Sequence, residues 1–330
     1  MLRKQLVSAV PGRRFMNKCG LFCVLGLLSV APAAQAASVR TFVASTGVDS
    51  GACARATPCR SFAYAITQTS PAGEIDVLDS GGFGAVTITQ SVSIINDGNV
   101  ANIAVPAAGT GITVNAGPDD TVTLRGLTID GNKAAYAGIA FLSGKSLTIA
   151  NCSAQNFITN GSFTGAGIIS KVATGSSFLS IAYTTSSNNA SYGIEILGLA
   201  DATSTTTVDL FATTTNSNAM AGVAFISNAL PAVVKGTIVN SGSSNNGAGF
   251  RFSAANGVVS ATLDSVRATG NNMGLSTSLG PTASKVFIGR STISSNFNGI
   301  LTNNTGAFSF GTNQVVGNVT DGTLPLVTPQ

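Results

Sequence analysis

A short phrase recurs at a constant interval in the second half of the chain, and it limits the fold more than any other feature. The three copies are Asn246-Gly247-Ala248-Gly249-Phe250, Asn271-Asn272-Met273-Gly274-Leu275 and Asn296-Phe297-Asn298-Gly299-Ile300. They start 25 residues apart (271 − 246 and 296 − 271), and in each copy a glycine and a large apolar residue follow the asparagine. A period of about 20–50 residues is typical of solenoids, propellers and arrays. The sequence therefore predicts a fold built by stacking one small unit on the next.

The period extends beyond these three copies. An apolar residue precedes each punctuating asparagine by eight positions, in the pairs Leu124/Asn132, Ile181/Asn189, Leu210/Asn218, Ile238/Asn246, Leu263/Asn271, Ile288/Asn296 and Phe310/Asn318. We expect the apolar members to form one inward column, and the asparagines to form a hydrogen-bonded ladder at one turn. The glycine after each turn is expected to tolerate a positive φ or a close backbone approach. A rung from about Leu147 to Ile169 lacks the spacing, and we interpret it as irregular.

The length and composition of one repeat favour a single architecture. Rungs of 22–29 residues are shorter than a propeller blade, which needs about 40–45 residues, and they lack the apolar stripe of helical repeats. Short runs rich in Val, Ile, Thr and Phe, broken by Asn, Ser and Gly, indicate two or three strands per turn. The sequence therefore predicts an all-β, right-handed parallel β-helix of about ten rungs, with strands roughly 4.8 Å apart.

The first 36 residues have the order of a secretory signal peptide. A basic segment that ends at Lys18 precedes an apolar run over 21–30, and Ala34-Gln35-Ala36 supplies small residues for cleavage. The run is too short to span a membrane, and either Met1 or Met16 can be the start. We predict a signal peptide over 1–36, a cap and first rungs over 37–100, β-helix repeats over 101–320 and a tail over 321–330. The predicted destination is extracellular, at the cell surface or periplasmic.

Charge and hydropathy argue against two kinds of partner, nucleic acid and the membrane interior. The chain has 17 basic and 13 acidic residues, and five of the basic residues fall in the leader. The remaining chain has 17 − 5 = 12 basic residues and a net charge of 12 − 13 = −1. A basic surface for nucleic acid is not expected, and no later segment is apolar enough to cross a membrane. A 44% apolar fraction with periodic spacing favours a buried stack over disorder, although only 9% of residues are charged.

Two features near the start of the exported chain indicate a capped end. Cys53 and Cys59 flank a short loop, and in an exported protein this spacing predicts a disulfide. Metal binding is the alternative, but the chain has no histidine, and the predicted exported part has no second close cysteine pair. Cys152 is expected to be a buried free thiol. The segment 61–68 predicts a short helix that covers the first rung.

The amino-terminal residues also carry a family resemblance. The motifs are Thr41-Phe42-Val43-Ala44-Ser45, Cys53, Pro58-Cys59, Ser61-Phe62 and Gly73-Glu74-Ile75. They resemble the amino-terminal signature of bacterial secreted right-handed β-helix repeat proteins, in the pectate-lyase-like superfamily. The signature covers residues 41–98, and the repeats extend the resemblance to about residue 318. It implies the fold, while the activity stays open because this fold carries lyases, hydrolases, epimerases and adhesins.

The outward positions offer few catalytic groups. Asp209 and Asp264 are the only carboxylates beside the inward column. They lie two rungs and two residues apart, roughly 12 Å at ordinary strand spacings. Paired glycosidase carboxylates need about 5–5.5 Å or 6.5–9.5 Å. Glu195 is expected to be a solvated charge.

One local acidic cluster supports an alternative hypothesis. Asp119, Asp120 and Asp130 surround Arg125 in sequence, and a lyase could use Arg125 as its base and the carboxylates to hold Ca²⁺. We favour the interpretation that these aspartates belong to turns, where Asp and Asn are common.

The surface composition favours binding over catalysis. Sugar-binding modules present aromatic rows, whereas this chain has no tryptophan, its tyrosines do not share one column, and most phenylalanines suit inward stacking. A rod covered by Thr, Ser and Asn is expected to be a non-catalytic binding or adhesive scaffold without a cofactor. Its expected partner is an extracellular polysaccharide or a cell-surface component. The alternative is a polysaccharide lyase that requires Ca²⁺.

Overall fold

The computed structural model describes residues 37–161, 164–199, 203–228, 231–280, 283–303 and 306–327. The chain divides into a leading unit, Met1–Ala34, and a second unit, Gln35–Gln330. The predicted signal peptide lies outside the described residues. Within them, no helix has both the length and the apolar character needed to cross a membrane.

Short strands and one helix, α1 (Phe62–Gln68), form the described part of the chain. In chain order the strands are β1 (Ser38–Val43), β2 (Thr69–Val77), β3 (Gly81–Gly82), β4 (Val86–Ile88), β5 (Val92–Ile95), β6 (Ala101–Ala104), β7 (Thr110–Asn115), β8 (Thr121–Arg125), β9 (Leu127–Asp130), β10 (Ala137–Ser143), β11 (Ser146–Ala150), β12 (Ser153–Gln155), β13 (Ala166–Ser170), β14 (Thr174–Ala182), β15 (Thr185–Ser187), β16 (Tyr192–Gly198), β17 (Thr203–Phe211), β18 (Thr214–Asn216), β19 (Ala221–Ser227), β20 (Val233–Val239), β21 (Gly242–Ser244), β22 (Ala248–Ala254), β23 (Val258–Asp264), β24 (Arg267–Thr269), β25 (Met273–Leu279), β26 (Lys285–Gly289), β27 (Thr292–Ser294), β28 (Asn298–Thr302), β29 (Ala307–Ser309) and β30 (Gln314–Val316).

The strands stack into three parallel sheets. Sheet 1 runs β1-β2-β5-β8-β11-β14-β17-β20-β23-β26-β29, sheet 2 runs β3-β6-β9-β12-β15-β18-β21-β24-β27-β30, and sheet 3 runs β4-β7-β10-β13-β16-β19-β22-β25-β28. Each coil passes from sheet 1 through sheet 2 to sheet 3 and then returns to sheet 1 one level further along. The prediction of a parallel β-helix is confirmed.

Sheet 1 places the predicted inward residues in register. Successive strands pair Leu124, Ile149, Ile181, Leu210, Ile238, Leu263 and Ile288, and all of them are buried. Full burial of each such side chain contributes about 1.5–3 kcal/mol. The prediction for Phe310 is wrong, because Ser309 is the residue that pairs with Ile288. Sheet 1 advances 309 − 288 = 21 residues in the last coil, whereas the ladder advances 318 − 296 = 22 residues. Counting back eight from Asn318 therefore selects a position one residue too late, and Phe310 is only half-buried.

The amino-terminal end is capped as predicted. The Ser61 hydroxyl accepts a hydrogen bond from the Tyr64 N–H at the start of α1, and Phe62 and Ala65 face the core. Cys53 and Cys59 form the predicted disulfide beside this helix. Because α1 lies against β1, β2 and β4, it shields the first coil from pairing with another strand.

Asparagines between sheets 2 and 3 form a continuous ladder of side-chain hydrogen bonds. The Nδ2 of each donates to the Oδ1 of the next, at 2.8 Å from Asn189 to Asn218, 2.9 Å from Asn218 to Asn246, 3.1 Å from Asn246 to Asn271, 2.9 Å from Asn271 to Asn296 and 2.9 Å from Asn296 to Asn318. Each of these Oδ1 atoms also accepts the backbone N–H of the preceding asparagine. The buried turns of six successive coils are thereby linked.

The first predicted member, Asn132, does not belong to this ladder. Its side chain is exposed, its φ is 50°, and its N–H donates to the carboxylate of Asp130 at 2.8 Å. The turn there contains extra residues, so Asn132 lies outside the core although its spacing from Leu124 is regular. In the following irregular rung Phe157 occupies the corresponding position, and its N–H donates to Asn189 Oδ1 at 3.2 Å.

The glycines after the ladder are required by close approach. A Cβ on Gly222 would lie 2.0 Å from Ser243 Oγ, and a Cβ on Gly274 would lie 2.6 Å from the Gly299 carbonyl oxygen. Neither glycine has a positive φ. Close contact between coils, and not a positive φ, therefore explains these glycines.

The register of sheet 1 can be tested with one pair of substitutions. Ile288→Asp would place an unpaired charge in the core and should cost roughly 3–5 kcal/mol. Thr262→Asp, on the outer face of the neighbouring strand, should change stability by no more than about 0.5 kcal/mol. Thermal unfolding monitored by circular dichroism measures both effects, and equal shifts would contradict the register.

Candidate functional site

The outer face of sheet 1 presents two columns of side chains, one on each side of the inward column. The first outer column contains Arg40, Glu74, Ser93, Thr123, Thr148, Ser180, Asp209, Thr237, Thr262, Phe287 and Phe308. The second outer column contains Phe42, Asp76, Ile95, Arg125, Ala150, Ala182, Phe211, Val239, Asp264 and Gly289. Both columns agree with the positions that the sequence predicted to point outward, except in the last coil.

Four carboxylates lie in these columns, so the expectation of Asp209 and Asp264 alone is wrong, because the period was counted only from Leu124 onward. Glu74 and Asp76 both form ion pairs with Arg40.

Asp209 and Asp264 do not act on a common point. Asp209 accepts a hydrogen bond from the Thr237 hydroxyl at 2.7 Å. Asp264 forms an ion pair with Arg290, whose Nε lies 2.8 Å from Asp264 Oδ1. Their strand positions differ by two coils and two residues, roughly 12 Å. This separation exceeds what either type of glycosidase uses.

The acidic cluster proposed around Arg125 is not assembled in the structure. Arg125 pairs with Asp97, while Asp119 is exposed to solvent. Asp120 accepts hydrogen bonds from Ser91 and from the Gly117 N–H, and the Ser91 bond is the main reason that the pKa of Asp120 is lowered.

Asp130 likewise belongs to a turn. Burial raises its pKa, but hydrogen bonds from Asn132, Gln155 and Asn156 outweigh that effect, so the pKa of Asp130 is lowered. Across the described ranges, no group of three or more His, Cys, Asp or Glu side chains is arranged to hold a metal ion. These four residues therefore lack the convergence that a calcium-dependent lyase site requires.

An exposed aromatic pair lies at the carboxyl end of sheet 1. Phe211 ends β17, and the Tyr183 ring meets it edge to face at a centroid distance of 5.5 Å. Tyr183 is held by its N–H bond to the Phe211 carbonyl oxygen and has a φ of 51°. The two residues are 60% and 36% exposed. We call this pair aromatic site 1.

A second aromatic group lies further along the same face. The Phe287 ring stacks on Phe308 at 5.5 Å and on Phe310 at 5.8 Å. The Lys285 ammonium lies 5.6 Å from the centre of the Phe308 ring. We call the three phenylalanines aromatic site 2.

A surface cavity of about 390 Å³ adjoins aromatic site 2. Its lining is Thr262, Asp264, Gly289, Arg290, Phe310 and Thr312. A Cβ on Gly289 would lie 2.9 Å from a carbon of the Phe310 ring, so the glycine provides the space in which this ring lies. The cavity therefore combines an aromatic wall, two hydroxyl groups and the Arg290–Asp264 ion pair.

Glu195 was expected to be a solvated charge, and that expectation is wrong. It lies on the outer face of β16 and is only 4% exposed. The Thr164 hydroxyl donates to Glu195 Oε2 at 3.2 Å, and Thr164 comes from the insertion that makes its coil irregular. Burial raises the pKa of Glu195, while Lys171, the Thr164 bond and Arg251 partly oppose that rise.

Sequence reasoning missed these features for identifiable reasons. Period counting identified the outward columns, but it assigned most phenylalanines to the core, so Phe211 and Phe287 were not recognised as surface aromatics. The available signal was the spacing itself, because Phe211 directly follows the inward Leu210 and Phe287 directly precedes the inward Ile288, which places both on the outer face. The hydrogen bond to Glu195 comes from Thr164, in an insertion that leaves no periodic mark in the sequence.

Comparison with solved structures places the fold among known β-helices. The crystal structure of pectate lyase Pel9A matches with a TM-score of 0.54 at 14% sequence identity, over 82% of this chain and 79% of that chain. No protein-family model and no curated protein matches the sequence. The chain is thus a right-handed parallel β-helix protein. Its fold is that of pectate lyase, and at this identity the likeness concerns the fold alone.

The buried carboxylate gives a testable pH dependence. Because the pKa of Glu195 is raised above its ordinary value of 4.5, its folded form binds protons more readily than its unfolded form. Its contribution to stability is therefore fully present below that value and is lost as the pH rises through the folded pKa. Glu195→Gln should flatten this part of the pH profile and leave the protein at least as stable at neutral pH.

Asp130→Asn is the matched control with the opposite sign. The pKa of Asp130 is lowered, so its stabilisation is present above the unfolded value and is lost as the pH falls. This variant should be less stable than the parent at neutral pH. Thermal unfolding across a pH series measures both, and an unchanged profile for Glu195→Gln would contradict the burial of the ionised group.

Proposed function

We propose that this protein is an exported, non-catalytic binding scaffold that holds an extracellular polysaccharide on the outer face of sheet 1. The observation that carries the proposal is aromatic site 1, an exposed tyrosine and phenylalanine held together beside columns of hydroxyl side chains. Aromatic rings provide large, rigid contact surfaces at low entropic cost.

The pattern of polar and apolar groups supports a sugar ligand over a protein ligand. A stable protein interface has an apolar core depleted of charge. Here Phe211 is followed along its column by Val239 and then by the Asp264–Arg290 ion pair, with Thr237 and Thr262 alongside. A pyranose chain presents apolar ring faces alternating with hydroxyl groups, and this surface offers both kinds of contact.

The positions of the ionisable groups support binding without turnover. Arg125, Asp120 and Asp130 each have partners within the protein and do not converge. Asp209 and Asp264 are too widely spaced to act as a pair. Glu74 and Asp76 lie close together, but both are held in ion pairs with Arg40. The alternative is a lyase, because a pectate lyase shares the fold, and activity must therefore be assayed directly.

Binding should depend on aromatic site 1. Retention of the protein in gels containing soluble polysaccharides, across neutral and acidic polymers, identifies the ligand class. Loss of a central aromatic contact costs more than about 1 kcal/mol, so Phe211→Ala and Tyr183→Ala should each weaken binding roughly fivefold to tenfold. Phe297→Ala is the matched control, because Phe297 is 59% exposed and lies in the turn between sheets 2 and 3. Equal effects of the three substitutions would contradict the assignment.

No turnover is expected. Lyase action creates an unsaturated sugar that absorbs ultraviolet light, and hydrolysis creates reducing ends. Residues 37–330 should yield neither above a blank on polyuronates and neutral glycans, with or without Ca²⁺. Turnover that disappears in Arg125→Ala or Asp130→Asn would overturn the proposal and assign activity to the acidic cluster.

A further inference from the structure

We infer that one linear polysaccharide chain occupies aromatic sites 1 and 2 at the same time, so that the ligand lies along the solenoid axis. This inference rests on the proposed function and specifies the length and direction of its ligand. The evidence for a second contact comes from aromatic site 2 and its cavity.

Phe310 of aromatic site 2 lies along the same outer column as Phe211 of aromatic site 1. Phe211 pairs with Val239, Val239 with Asp264, and Asp264 with Gly289. The Phe310 ring lies against Gly289, because a Cβ there would be 2.9 Å from it. Three steps between paired strands separate Phe211 from this ring, which is roughly 14 Å at the spacing of parallel strands.

The surface between the two sites is suited to a continuous sugar chain. Val239 provides a half-buried apolar contact next to Phe211, and the Asp264–Arg290 pair borders the cavity beyond it. The hydroxyl groups of Thr237 and Thr262 lie in the adjacent column, and the Thr237 hydroxyl already donates to Asp209. An extended ligand would therefore meet an aromatic ring, a hydrogen-bonding strip and a second aromatic group in succession.

A ligand that engages both sites should show a length threshold. Once one site is occupied, the second contact forms within the same complex, and its effective concentration is high only if the chain can reach. Oligosaccharides that are too short can occupy either site but not both. Affinity is therefore expected to rise steeply at the first length that spans the separation, and to change little with further length.

The experiment measures affinity against chain length. The probes are size-fractionated oligosaccharides, from disaccharide to octasaccharide, of cellulose, xylan, mannan and polygalacturonate, and calorimetry or fluorescence titration gives Kd. For at least one series, the parent protein should gain about tenfold or more in affinity across one or two added units. Phe310→Ala should remove that gain, while the affinity for oligosaccharides below the threshold stays within about twofold.

Two further variants control for folding and for the position of the aromatic ring. Phe310→Leu retains an apolar side chain over Gly289 but lacks the flat ring, so it should also lose the gain while its thermal unfolding matches the parent. Phe297→Ala should keep the full gain, because that ring lies on another part of the coil.

Different results would contradict the two-site inference and the proposed function. A smooth dependence on length, together with sensitivity to Phe211→Ala and indifference to Phe310→Leu, would overturn the two-site inference and leave single-site binding intact. If no oligosaccharide or polymer binds any version of the protein, the proposed function and this inference both fall. Binding of a folded protein through the same aromatic residues, with no glycan binding, would have the same consequence.

Discussion

The structure depends on hydrogen bonds between identical side chains in successive coils. Each asparagine from Asn218 to Asn318 uses Oδ1 to accept both the side-chain and the backbone N–H of the coil before it. A coil shifted by one residue would leave these buried groups unpaired, at about 1–3 kcal/mol for each. The ladder begins at the Phe157 N–H and ends on the carboxylate of Asp321, which accepts from Asn318 at 2.8 Å. Both ends therefore have partners, and the register of the coils between them is fixed.

A fixed register separates stabilising residues from residues that are free to bind. The inward column of sheet 1 from Leu124 to Ile288 is filled by aliphatic side chains, so substitution there is limited by packing. Outward positions have no such restriction, and Phe211, Phe287 and the Arg290–Asp264 pair lie among them. Because the coils stack in register, these groups lie at multiples of the strand spacing. A ligand with its own repeat can then match several groups at once.

Predictions from the sequence were correct for the regular coils and wrong where the repeat is interrupted. Its period identified the inward column and the ladder from Asn189 onward, and the helical spacing of Phe62, Ala65 and Ile66 identified the capping helix. Asn132 and Phe310 were misplaced because extra or missing residues in their turns change the count without changing the composition. Glu195 was misjudged because alternation along β16 places it on the outer face but does not show that this position is buried, and its partner Thr164 lies in the irregular coil. Local periodicity cannot describe contacts made by inserted segments, and these contacts depend on tertiary packing alone.

The central claim is that the asparagine ladder couples neighbouring coils, and hydrogen exchange of Asn246→Leu tests it most directly. Leucine removes the acceptor for Asn218 and the donor to Asn271. Mass spectrometry should therefore show faster amide exchange in the coils that contain these two partners, as well as in the substituted coil. The control, Asn256→Ala, removes an exposed amide that donates to the Asn228 carbonyl oxygen and should leave exchange unchanged in those coils. Faster exchange confined to the residues next to position 246 would contradict the account.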